Sequence, residues 1–155
     1  MATLVQEFGP QTRRQVVIIT AVLAVLTLLA NPMGPLGFFW RPSAHIPTPA
    51  GYQIPMFGLL FIAEGLTFGL GVSFLVYGYR LLSRLTPAPD GLTRAAHLSI
   101  SWLMINWWLH NSLHMHVGMD LNGLLAVDYG FHFTLMIAGA ILAVFFLRVM
   151  RDARV

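Results

Sequence analysis

Four long apolar segments constrain what this chain can fold into. They run from about residues 16 to 30, 54 to 82, 95 to 118 and 124 to 148. No buried strand is this long, and backbone in lipid must pair within its own segment, so each is predicted to be a helix. The sequence therefore predicts an all-α integral membrane protein, with residues 1–155 forming a single domain built as a four-transmembrane-helix bundle.

The first segment has a second interpretation. It is about 15 residues long, whereas a span usually needs ~20. Arg13 and Arg14 precede it, as basic residues do in secretory and twin-arginine signals. Asn31 and Pro32 follow it in place of a small-x-small cleavage site, so a retained helix is the favoured interpretation.

Arginine placement predicts the orientation. All the arginines except Arg41 flank the predicted helices at the end that holds both termini. They are Arg13, Arg14, Arg80, Arg84, Arg94, Arg148, Arg151 and Arg154. The positive-inside rule then makes both termini cytoplasmic, and the connections at residues 31–53 and 119–123 face outward. We expect a multi-pass protein of the cytoplasmic (inner) membrane.

Composition narrows the function. The chain is 57% hydrophobic and only 10% charged, so lipid is the expected partner of much of its surface. It has no lysine, which excludes Schiff-base chemistry, and no cysteine, which excludes thiolate metal sites and thiol redox catalysis. The arginines are explained by the membrane rule, so the basic balance does not indicate nucleic acid. No motif identifies a family.

Glycine spacing in the second segment predicts close helix packing. Gly65 and Gly69 form a small-xxx-small step, which lets the backbone of a neighbouring helix approach. The third connection is very short, so the third and fourth helices are expected to be antiparallel neighbours.

The informative polar residues are five ionisable groups within the apolar segments: Glu64, His110, His114, Asp128 and His132. Such groups are costly at membrane depth, so they are expected to face the interior of the bundle and to mark a site. His110 and His114 are four residues apart and share a face of the third helix, as Asp128 and His132 do on the fourth.

Depth places these groups in one layer. At ~1.5 Å rise per residue, they lie roughly 6 to 15 Å from the outer ends of their helices. The layer predicts a metal site in which His110, His114, Asp128 and His132 bind zinc, iron or copper. Glu64 is assigned as a further ligand or as the catalytic general base, and the protein as a metal-dependent enzyme acting on a lipid-soluble substrate.

Other hypotheses remain open at this stage. Two histidines on different helices could bind a b-type haem, which would suit an electron-transfer subunit. Glu64, His132 and Tyr129 could instead relay protons in quinone chemistry without a metal. The same groups could also form a purely structural network in a non-catalytic subunit of a larger membrane complex. Whether the protein is an enzyme is therefore left open.

A second cluster lies at the outer end of the third segment. His114, Met115 and His116 are followed by Met119 and Asp120, a set that suits soft copper coordination. The alternative interpretation is that these are ordinary solvated side chains that bind no metal. His97, near the other end of this segment, is expected to lie at the membrane interface.

Overall fold

The computed structural model describes residues 9–86 and 90–153, and in these ranges the chain is helical and has no strand. The helices are α1 (Pro10–Leu29), α2 (Ile54–Tyr77), α3 (Tyr79–Leu82), α4 (Gly91–Val117), α5 (Leu121–Val127) and α6 (Thr134–Asp152). A short 3₁₀ helix spans Gly37–Trp40, and a π-helical segment, Asp128–Phe133, joins α5 to α6. The predicted all-α class is therefore confirmed. Arg154 and the turn residues Pro87 and Pro89 lie outside the described residues.

Three helices are long and apolar enough to cross a membrane: Pro10–Leu29, Ile54–Tyr77 and the continuous stretch Leu121–Asp152. Helix α4 has 27 residues and is long enough, but it is too polar to meet the same measure. The four-span count and the orientation of the termini therefore stay predictions.

Helix boundaries differ from the apolar segments because helices continue into polar sequence. Arg13 and Arg14 lie inside the first turns of α1, and Arg94 lies inside α4. Asp90 begins α4 by accepting a hydrogen bond from the backbone N–H of Thr93 at 3.1 Å, which satisfies one of the free donors at the helix start. These three arginines thus lie within helices and not in separate loops.

The helices pack as a row in the order α1, α2, α4, α6. Within the described residues, α1 and α6 do not pack extensively against each other, so the row does not close into a four-membered ring. Helix α4 lies between α2 and α6, and its polar side chains are therefore sheltered by both neighbours.

Close packing of α1 on α2 follows from the predicted glycine step. A Cβ added to Gly69 would lie 2.5 Å from the backbone oxygen of Thr20, and one added to Gly65 would lie 2.6 Å from Thr27 Oγ1. Only hydrogen fits at these two positions. Thr20 and Ser73 also pair through their hydroxyls at 3.1 Å. The predicted small-xxx-small contact is confirmed.

The distribution of polar and apolar residues between interior and surface is the reverse of that in a water-soluble protein. The buried hydrophobic residues are few, and small alanines are prominent among them, whereas buried polar residues are more numerous and lie mainly on α4. Large apolar side chains on α1, α2 and α6 are instead exposed. Exposed apolar surface on this scale is consistent with contact with a lipid bilayer.

Candidate metal centre

Three histidines meet at the end of the row where α4 turns into α5. His110 Nε2 lies 3.0 Å from His132 Nε2 and 3.1 Å from His114 Nε2. One ring nitrogen from each histidine lies within 4.8 Å of the other two. These residues, named here the histidine triad, could hold a metal ion. The prediction that His110 and His114 share a face is confirmed.

Burial differs among the five predicted residues. Glu64 is 4% exposed and His110 is 9% exposed, whereas the side chains of Asp128 and His132 are each 50% exposed. The expectation that all five lie in the interior is therefore wrong for Asp128, and His132 is half exposed although its Nε2 faces His110. Both lie in the π-helical segment at one end of the open row, where the described residues cover them on one side only.

His110 is oriented by a chain of hydrogen bonds that crosses from α4 to α2. Its Nδ1–H donates to Asn111 Oδ1 at 3.1 Å, and Asn111 Nδ2–H donates to Glu64 Oε1. A carboxylate oxygen accepts, so Asn111 turns its NH₂ toward Glu64 and its carbonyl toward His110. The Nδ1 proton of His110 is thereby fixed, and Nε2 carries the lone pair.

His132 is oriented in the same way by its own helix. Its Nδ1–H donates to Asp128 Oδ1 at 2.8 Å, which confirms that this predicted pair shares a face. Asp128 therefore contacts the ring nitrogen that does not face the triad. The four residues predicted as ligands thus separate into three histidines that converge and one carboxylate that holds a histidine from behind.

These two tautomers put lone pairs face to face. A neutral imidazole has one N–H, and in His110 and His132 it is on Nδ1. Their Nε2 atoms, 3.0 Å apart, then have no hydrogen between them. Two lone pairs at that distance repel unless a cation lies between them, and the cation is either a proton on one ring or a metal ion shared by both. The arrangement is therefore suited to binding a cation.

The π-helical segment sets the height of His132 above α4. Thr134 Oγ1–H is shared between Gly130 O at 2.8 Å and Phe131 O at 3.0 Å, two carbonyls of the π-helical segment. Thr134 Oγ1 also accepts from Trp102 Nε1 at 2.9 Å, and the Trp102 ring stacks on Phe131 at 5.6 Å. The segment is thus tied to α4 at Trp102, about two helical turns from His110.

The connection between α1 and α2 folds back over the same end. Trp40 Nε1 donates to Ala30 O at 2.7 Å, and its ring packs edge-on against Trp108 of α4 at 5.3 Å. Ser43 N donates to Met115 O at 2.9 Å, which anchors the connection on the last turns of α4. The connection therefore covers part of the candidate centre.

Several other predicted residues lie elsewhere. Tyr129 is 72% exposed, and His116 donates from Nδ1 to Arg41 O at 3.1 Å. Met119 is 81% exposed, so the proposed copper cluster is spread over the surface. His97 is buried and donates to Phe74 O at 3.0 Å, and its place at the membrane interface stays a prediction.

Asn111 is the residue of the centre that the sequence analysis missed. It lies between Glu64 and His110 and is the link by which a residue of α2 reaches the triad. The sequence feature that could have indicated its role is its position beside His110 in a segment without Asp, Glu or Arg. That signal is weak, because neighbouring residues on a helix ordinarily point in different directions.

Comparisons with protein families, with characterised proteins and with solved structures give no significant match. The function is therefore argued from the geometry of the centre.

Proposed function

We propose that this chain is an integral membrane protein that binds one transition-metal ion, zinc, iron or copper, through His110, His114 and His132. The observation that carries the proposal is that one ring nitrogen of each histidine converges on the same small space. The Nδ1 protons of His110 and His132 are at the same time held by other groups. Neutral imidazoles that share a small space and aim lone pairs inward are ligands that these metals prefer.

The distances support a single ion. With Zn–N bonds of ~2.0–2.1 Å, two nitrogens of a tetrahedral site lie about 3.3–3.4 Å apart. The two separations from His110, 3.0 and 3.1 Å, need an outward shift of only a few tenths of an ångström, and the His114 and His132 nitrogens lie within 4.8 Å of each other. Three protein ligands would leave a fourth position for water or a substrate, which is the pattern of catalytic rather than structural zinc sites.

The outer residues support the same proposal. Metal-bound histidines usually donate their other ring N–H to a carboxylate or carbonyl oxygen, which fixes the tautomer and strengthens the ligand. Asp128 has that relation to His132, and the Asn111 carbonyl has it to His110. We therefore assign Asp128 as the residue that orients His132, in place of the ligand role expected from the sequence.

Location supports action on a lipid-soluble molecule. Asp128 is twenty residues from Arg148 along one helical stretch, which corresponds to ~30 Å and to the thickness of a bilayer core. The centre would then lie at the boundary between lipid and water. A metal-bound water there would be a nucleophile for a substrate dissolved in the membrane, and Glu64 is the proposed base.

A b-type haem is the less favoured cofactor. Axial histidines bind opposite faces of the porphyrin and need a slot between them. His110 Nε2 and His132 Nε2 are only 3.0 Å apart, which leaves no room for a ring.

One observation favours a second role, as a subunit of a larger membrane complex. The Asp128–His132 pair of the π-helical segment is half exposed, and a partner helix packed there would shield it from lipid.

Metal analysis of the purified full chain tests the proposal. We expect stoichiometric zinc, iron or copper in the wild type, and loss of most of it in His110→Ala and in His132→Ala. His116→Ala is the matched control, since His116 lies outside the triad on the same helix and should leave the metal content unchanged. A Soret band, or metal retained by both triad variants, would overturn the proposal.

A further inference from the structure

A cavity of about 310 Å³ lies beside the triad, between α2, α4 and the connection that precedes α2. Its walls are mainly apolar and include Phe57, Phe61, Ile46 and Met115. This volume is at the lower end of the range for small-molecule sites, ~300–1,000 Å³. His114 also lines the cavity, so the space extends to the candidate metal centre.

Two polar side chains that line this cavity lack a full set of partners. Glu64 Oε2 and Ser112 Oγ are buried and have no hydrogen-bond partner among the described residues. Glu64 is 4% exposed and Ser112 is 1% exposed, so bulk water does not solvate them. A buried unsatisfied oxygen costs ~1–3 kcal/mol, and such groups commonly indicate a missing water, ion or ligand.

A hydroxyl group fits this pair better than an ammonium group or a carboxylate does. Ser112 Oγ–H can donate to a hydroxyl oxygen, and the hydroxyl hydrogen can donate to Glu64. An ammonium group can donate to Glu64 but cannot accept from Ser112, and a carboxylate would repel Glu64. The apolar walls suit a hydrocarbon body.

The cavity also meets the lipid-facing surface of the row. Leu60 lines it and is 44% exposed, so the cavity reaches the outer surface of α2 at this side chain. A molecule dissolved in the bilayer would therefore have a short route to the cavity without crossing water.

We infer that the cavity beside the triad binds a small lipid-soluble alcohol, with its hydroxyl between Glu64 and Ser112 and its hydrocarbon body against Phe57 and Phe61. The inference rests on the proposed function, because the alcohol would be the substrate class of that metal centre. Binding itself needs only the cavity, and the two are therefore tested separately.

Photolabelling of the full chain in phosphatidylcholine nanodiscs tests this inference. The probe is a medium-chain alcohol that carries a diazirine, and the comparison compound is its methyl ether, which cannot donate a hydrogen bond. We expect the alcohol to label peptides that contain Phe57, Phe61 or Met115 about tenfold more than the ether, as expected for one bond to a charged acceptor. Excess octanol should compete.

Two matched variants locate the binding. Leu60→Trp should fill the cavity and reduce labelling at least severalfold, because Leu60 lines it. Leu59→Trp should not, since Leu59 is 69% exposed and does not line the cavity. Equal labelling by alcohol and ether, stronger labelling by the matching amine, or labelling unaffected by Leu60→Trp would each overturn the inference.

Metal content measured on the same samples separates this result from the proposed function. Absent labelling in a protein that holds its metal refutes only the alcohol site. Specific labelling in a wild type that holds no metal supports the alcohol site and refutes only the metal centre. His116→Ala should label like the wild type, since His116 belongs neither to the triad nor to the cavity lining.

Discussion

Replacing Asp128 by asparagine tests how the centre prepares its ligands. Asp128 Oδ1 lies 2.8 Å from His132 Nδ1 and accepts its hydrogen bond. The proton is thereby held on Nδ1, and Nε2 is free to bind metal. An asparagine of nearly the same shape can turn its NH₂ toward Nδ1. The imidazole proton then moves to Nε2, where it points into the triad and opposes a metal ion.

The expected loss follows from burial. Removing an outer partner of a metal-bound histidine typically costs 10–100-fold in affinity, or ~1.4–2.7 kcal/mol. Both side chains of the Asp128–His132 pair are 50% exposed, so water can replace part of the lost bond. We therefore expect about a tenfold weaker affinity, at the low end of that range. For Asn111→Ala we expect about 100-fold, because His110 is only 9% exposed and water cannot substitute there.

Zinc titration against a fluorescent chelator, with the protein in nanodiscs, measures these affinities. Asp152→Asn is the control for loss of a carboxylate, since Asp152 lies at the opposite end of α6 and should leave zinc affinity unchanged. The tautomer argument is refuted if Asp128→Asn binds zinc as tightly as the wild type while His132→Ala does not bind it. The burial argument is refuted if Asp128→Asn is the more damaging of the two substitutions.

Two further predictions concern stability. Gly69→Ala should lower the free energy of unfolding by ~1–3 kcal/mol, because the added Cβ would lie 2.5 Å from Thr20 O. Gly139→Ala is the control and should leave stability unchanged, because a Cβ there would have nothing within 4 Å. Thermal unfolding in detergent compares the two variants. A hydrogen bond from Arg148 lowers the pKa of Asp90 in the folded protein. The pair therefore stabilises the fold at pH values above ~3.9, the pKa of Asp in the unfolded chain. This stabilisation is lost as the pH falls through the lower pKa of the folded state. Asp90→Asn should therefore flatten the acid side of a stability–pH curve, and an unchanged curve would contradict this.

Relations within one helix were predicted well. The spacing of His110 and His114, and that of Asp128 and His132, brought each pair into contact as expected. Gly65 and Gly69 also meet α1 in the expected way. These relations depend on the helical repeat, which is a local property of the backbone and so can be read from spacing.

Relations between helices were predicted less well. The partner of Glu64 is Asn111, and the flank that carries Asp128 and His132 is uncovered rather than interior. The π-helical segment was not predicted either, although it sets the position of His132. The first depends on how α2 and α4 rotate and slide against each other, and the others depend on how the last helical stretch packs on α4, which spacing along one helix does not specify.

The sequence by itself therefore determined that the chain is helical, that its surface is apolar and that four of the five ionisable groups come in two pairs one turn apart. Only the tertiary structure decided that His110, His114 and His132 form the triad while Asp128 and Asn111 hold the rings from outside. The physical reason is that covalent geometry sets the direction of side chains on one helix, whereas packing sets which lone pairs meet across helices.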